Sequence, residues 1–168
     1  MAFCSPHVNW LYRLDANFSW QSGLSISEDS AFVDTTGAVR LILERGGRIT
    51  VTRGYSWNGC SPKFCLFDLL VGTPDGVTDL STGHSKTYRA SLVHDALYQF
   101  LPDGLPIRRA HADACFLSLL DATGFRLRHI YYLAVRVFGG LVRSATRRSR
   151  RTRGRKLQIP AIDDLPRG

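Results

Sequence analysis

Apolar and polar positions change period along this chain. The first 60 residues carry short β-type runs, whereas the second half repeats its apolar residues every three or four positions. Val39-Arg-Leu-Ile-Leu43 and Arg48-Ile-Thr-Val-Thr52 flank Glu44-Arg-Gly-Gly47. Runs rich in β-branched residues around a Gly-Gly turn predict a hairpin. Val8 to Phe18 and Ala31 to Asp34 are weaker strand candidates. Tyr55 to Pro62, rich in Gly, Asn, Ser and Pro, reads as a loop, as does Gly72 to Ser85.

Three helices are expected after that. In the first, Ala90, Val93, His94, Leu97, Tyr98 and Leu101 share one stripe, and Pro102-Asp-Gly-Leu-Pro106 ends it. The second runs from about Ile107 to Thr123, with Gly124 as its stop. Its inward stripe is Arg109, Asp113, Phe116, Leu117 and Leu120. The third is striped by Leu127, Ile130, Tyr131, Ala134, Val137, Phe138 and Leu141. The expected fold is therefore α+β. An N-terminal β-hairpin or small antiparallel sheet precedes three helices in one domain, residues 1–142, and a basic tail follows over 143–168.

Composition adds limits. A chain of 168 residues that is 44% apolar can bury the core of one domain. The longest apolar stretch, His129 to Val142, contains Arg136 and is too short to span a bilayer. No charged start followed by an apolar segment is found, so no secretion signal is expected. Cys4, Cys60, Cys65 and Cys115 match no zinc spacing. Reduced thiols are expected, with a Cys60–Cys65 bridge as the alternative. Residues 143–156 hold seven Arg, one Lys and no acid, so they carry the whole formal charge of +8. Such a run repels itself and is expected to be disordered until it meets a polyanion. Arg147 to Lys156 could engage nucleic-acid phosphates. The same run could instead hold an anionic membrane, at about 1 kcal/mol per basic residue.

Two polar residues interrupt the apolar stripes: His94 on the first helix and Asp113 on the second. The short connection makes these helices antiparallel neighbours. His94 lies seven residues before Leu101, and Asp113 six after Ile107. At about 1.5 Å per residue both stand roughly 10 Å from the turn, so they are expected to face each other. A buried carboxylate beside an imidazole is half of a general-base device. It is also the form of a satisfied polar pair in a core. Tyr98, one turn after His94, could hold Asp113. Asp95 points about 100° away, toward the rim, where a carboxylate suits a hard cation such as calcium.

His94-Asp95-Ala-Leu-Tyr98 and Ala112-Asp113, with Asn58-Gly-Cys-Ser-Pro62 and Arg136-Val-Phe-Gly139, resemble a phage- and prophage-associated family of unknown function. The resemblance runs from about Gly54 to Gly140. The same His-Asp-x-x-Tyr helix with a later Asp also resembles phospholipase A2, in particular its compact form in parvovirus capsid proteins. That resemblance implies calcium-dependent hydrolysis of a lipid ester. His94 would be the general base, Asp113 would orient it, and Tyr98 would hold Asp113. Asp95, with the carbonyls of Tyr55, Trp57 and Gly59, would bind Ca2+. Trp57, Phe64 and Phe67 would admit an acyl chain, or they are ordinary core. The expected setting is cytoplasmic, or a virion if the chain is phage-encoded. The competing expectation is a non-catalytic, phage-derived accessory protein whose basic tail binds nucleic acid. A metal phosphohydrolase would need a further upstream His on a helix, and His84 stands in a Gly/Ser loop.

Overall fold

A computed structural model describes residues 12–60, 63–66, 69–72, 78–80, 82–146 and 155–157, with backbone alone for 63–66, 69–72, 138–146 and 155–157. The strands are β1 (Tyr12–Arg13), β2 (Phe18–Gln21), β3 (Ser30–Val33), β4 (Val39–Leu43), β5 (Arg48–Val51), β6 (Ser56–Trp57), β7 (Lys63–Leu66), β8 (Leu69–Gly72) and β9 (Arg155–Leu157). The helices are α1 (Tyr88–Phe100), α2 (Arg109–Ala122) and α3 (Arg128–Thr146).

The expected hairpin is β4–β5, with Leu43 opposite Ile49 and Leu41 opposite Val51. All four residues are fully buried, so one face of the hairpin is core. Gly47 closes its turn at φ +93, and a Cβ there would meet the Leu24 carbonyl oxygen at 2.3 Å. Only glycine satisfies both conditions. The hairpin sits inside an antiparallel sheet of order β2-β5-β4-β3-β9.

α1 packs against β4, β5 and β6 on one side and α2 on the other. Such a helix must be apolar nearly all round. Ala90, Leu92, Val93, Ala96, Leu97 and Phe100 are accordingly buried, together with Ser91 and His94. A 3-10 turn over Leu101–Asp103 and Gly104 at φ +85 then end α1. α2 folds back on α1, and α3 packs on α2.

Three expectations are revised. Tyr55 to Pro62 is not all loop, because Ser56–Trp57 pairs with Tyr12–Arg13 as β6. Trp57 drives this: its indole is fully buried and its Nε1–H donates to Ser91 Oγ of α1 at 3.1 Å. In α3, Tyr131 and Val135 are buried, while Ile130, Leu133 and Val137, with Leu127 just before the helix, face outward. Among the described residues the apolar stripe therefore marks the helix but only one edge of it is buried; the side chains of Phe138 and Leu141 lie outside the described residues. Within the basic tail, α3 continues to Thr146 and Arg155–Leu157 forms β9 along the edge of β3. Residues 147–154 and 158–168 lie outside the described residues. Cys60 and Cys115 are buried. Among the described residues, no helix is long and apolar enough to cross a membrane.

Candidate functional site

The short turn between α1 and α2 leaves His94 and Asp113 at one level, with His94 Nε2 3.1 Å from Asp113 Oδ1. Asp113 is 0% exposed and His94 8%. A carboxylate this deep stays ionised only where donors replace its water. The Tyr98 hydroxyl donates to Oδ1 at 2.5 Å. Arg109 Nε, one turn before Asp113, donates to that hydroxyl at 2.7 Å, which directs its proton toward Asp113. On the far side, Asp113 Oδ2 faces Arg136 Nη1 at 3.5 Å and Arg109 Nε at 3.8 Å. Arg109 Nη2 also donates to the Val135 and Arg136 carbonyls of α3, at 2.9 and 2.6 Å. Three helices thus meet around one carboxylate. The His94 ring is fixed further by Tyr98 and Phe116, whose centroids lie 4.1 and 5.1 Å away.

Burial disfavours the charged imidazolium, but the bonds to Asp113 and Asp95 outweigh it and raise His94 above its ordinary value. Burial also opposes ionisation of Asp113, and His94, Tyr98 and Arg109 reverse it, holding the carboxyl below the usual range. Tyr98 stays protonated through burial and its bond to Asp113. With Asp113 anionic, His94 Nε2 carries a proton. The neutral ring then keeps its lone pair on Nδ1. Nδ1 lies 3.8 Å from Asp95 Oδ1, whose side chain is part exposed.

The calcium set that the phospholipase resemblance implies is Asp95 with the carbonyls of Tyr55, Trp57 and Gly59. Asp95 offers a hard carboxylate at the rim, and its charge reaches the buried Tyr55 phenol, which burial and Asp95 together raise well above its ordinary value. β6, which follows Tyr55, packs against α1, the helix that carries Asp95. Yet the Tyr55 carbonyl accepts the Leu14 amide at 2.8 Å, and Trp57 stands in a paired strand. Trp57 thus lies in a strand rather than in a loop, and the Tyr55 carbonyl already accepts one amide. Gly59, at φ +76, follows the strand in irregular backbone. Among the described residues no group of three His, Cys, Asp or Glu side chains could hold a metal ion.

The model of a family described as a protein of unknown function, DUF1353, matches residues 44–135. The chain belongs to DUF1353. No curated protein and no solved structure matches the chain. The DUF1353 match takes in β5 to β8, α1, α2 and the start of α3, and with them Tyr55, Trp57, Gly59, His94, Asp95, Tyr98, Arg109 and Asp113. It leaves out β1 to β4, β9 and Arg136.

Arg109 and Arg136 belong to the site although the sequence reading gave neither a role. Arg109 stood in the inward stripe four residues before Asp113, a spacing at which an acid and a base meet on a helix. His111 and His84 have local explanations. His111 is exposed, and its Nδ1 accepts the Arg108 amide at 3.3 Å, capping α2. His84 stacks on Tyr88 at 4.1 Å. Trp57 belongs to the core, and the side chains of Phe64 and Phe67 lie outside the described residues.

Proposed function

We propose that this DUF1353 chain is a hydrolase of lipid esters, similar in mechanism to phospholipase A2, with His94 as general base. One observation carries the reading. His94 gives Nε2 to Asp113 and keeps Nδ1 on the rim side, 3.8 Å from Asp95. That is the orientation a water-activating imidazole needs. His94 Nδ1 takes a proton from water as the water oxygen bonds to the ester carbon. The tetrahedral adduct then collapses, the ester C–O bond breaks, and the leaving alkoxide recovers the proton from Nδ1. Asp113 stabilises the transient imidazolium, and Tyr98 and Arg109 keep Asp113 in place. Calcium held by Asp95 and the Gly59 carbonyl would supply Lewis-acid polarisation of the ester carbonyl.

A specific observation favours a second reading. Asp113 is surrounded by His94, Tyr98, Arg109 and Arg136, a degree of satisfaction that also suits a purely structural knot joining three helices. On that reading the chain is a non-catalytic, phage-derived accessory protein, and Arg147 to Lys156 bind nucleic acid. Fatty-acid release from mixed phospholipid vesicles, with calcium or with a chelator, separates the two. Release that requires calcium supports the hydrolase with a cation at Asp95. Release that persists in chelator removes the cation and keeps the base. No release from folded protein overturns the hydrolase and leaves the knot.

A further inference from the structure

α3 has the sharpest division between apolar and polar faces of the three helices. Its inner edge is Tyr131 and Val135. Its outer stripe is Ile130, Leu133 and Val137, 63%, 63% and 53% exposed, with Leu127 at its start, 49% exposed. Residues three and four apart share a helix face, so these side chains form one continuous strip. Exposed Arg126, His129 and Arg136 border it. From Ala122 to Ile162 the sequence contains no Asp or Glu. A contiguous apolar strip of this kind on a protein surface marks a contact face.

The chemistry beside the strip selects the occupant. A second copy pairing through the same face would bring its arginines against these arginines, which repel. Nucleic acid would engage the arginines through phosphate and leave four aliphatic side chains in water. An anionic bilayer answers both features at once. Headgroup phosphates meet the basic border, and the aliphatic strip enters the acyl boundary.

We infer that the outward face of α3, from Leu127 to Val137, docks on an anionic lipid surface, with the helix lying in the plane of the interface. The contact lies beside the candidate site, because Arg109 ties the α3 backbone at Val135 and Arg136 to the Asp113 network. That the bilayer also supplies the substrate rests on the hydrolase reading; the docking does not.

The test uses the full chain with vesicles of ether-linked phosphatidylcholine, with and without ether-linked phosphatidylglycerol, read by co-sedimentation. These lipids hold no ester, so binding is measured whether or not the chain is a hydrolase. The wild type is expected to sediment with the phosphatidylglycerol vesicles and not with phosphatidylcholine alone. Ile130→Glu combined with Val137→Glu is expected to weaken binding by about tenfold or more, since each change places a charge in the acyl boundary. Leu133→Ser, a milder change at an exposed position, provides a second reading if the double variant fails to fold. Three outcomes overturn the inference. Folded wild type could stay in the supernatant with phosphatidylglycerol vesicles. Folded variants could bind as well as wild type, which would assign binding to the Arg-rich segment alone. The wild type could dimerise without binding vesicles, with the variants monomeric, which would assign the face to a second copy.

Discussion

α1 and α3 are both helices with ample apolar residues, and they stand in opposite surroundings. α1 is enclosed by β4, β5 and β6 on one side and α2 on the other, so any polar group on it must find a partner inside the protein. Ser91 accepts the Trp57 indole N–H and donates to the Tyr88 carbonyl, and His94 is bonded to Asp113. α3 packs on α2, and large aliphatic residues on it face outward. The two anomalies are complementary. A buried polar residue on α1 points to chemistry, and an exposed apolar strip on α3 points to contact.

The comparison implies very different sensitivities. The largest effect is expected at Asp113. Asp113→Ala removes the acceptor of His94 and Tyr98 and leaves Arg109 facing a void, at a cost of about 3–5 kcal/mol. Urea unfolding measures this, and a loss below 1 kcal/mol would break the contrast. Next comes Arg109→Met, which keeps length but loses the bonds to Tyr98 and to the two α3 carbonyls. With the guanidinium part exposed and partly screened, about 1–2 kcal/mol is expected by the same measurement. Smallest is Leu133→Ser, where less than about 0.5 kcal/mol is expected, because an exposed side chain loses little on replacement.

pH sharpens the same contrast. His94 is raised in the folded chain, so its contribution to stability is complete below its unfolded pKa and fades as pH rises through the folded one. Asp113 is lowered, so its contribution is complete above its unfolded pKa and fades as pH falls through the folded one. Both are complete between about pH 4 and 6.5. Urea midpoints across this range should plateau in the wild type, and in Asp113→Ala both limbs should flatten.

Much of this was legible in the sequence where local rules decide. The β4–β5 hairpin follows from its Gly-Gly turn, and the level of His94 and Asp113 follows from helical rise counted from the turn. Their meeting at 3.1 Å needed no tertiary information beyond an antiparallel pair of helices. What escaped depends on neighbours. β6 is two residues long and exists because Tyr12–Arg13 lies beside it and Trp57 is drawn into the core. β9 reads as part of a basic run and pairs only because β3 presents an open edge. Arg109 and Arg136 reach Asp113 from two helices, and no spacing along the chain shows that α3 brings Arg136 there. The stripe of α3 is plain in the sequence, but periodicity locates a face without saying what covers it.

The most direct test of the central claim, that His94 is a base held by Asp113, is the rate of fatty-acid release from anionic phospholipid vesicles against pH, for wild type and His94→Gln. The wild type should gain activity as pH rises through the raised His94 pKa, and His94→Gln should be slower by about 10²–10⁴-fold at every pH. Equal rates for the two proteins, or no release by folded wild type across the pH range, would contradict it.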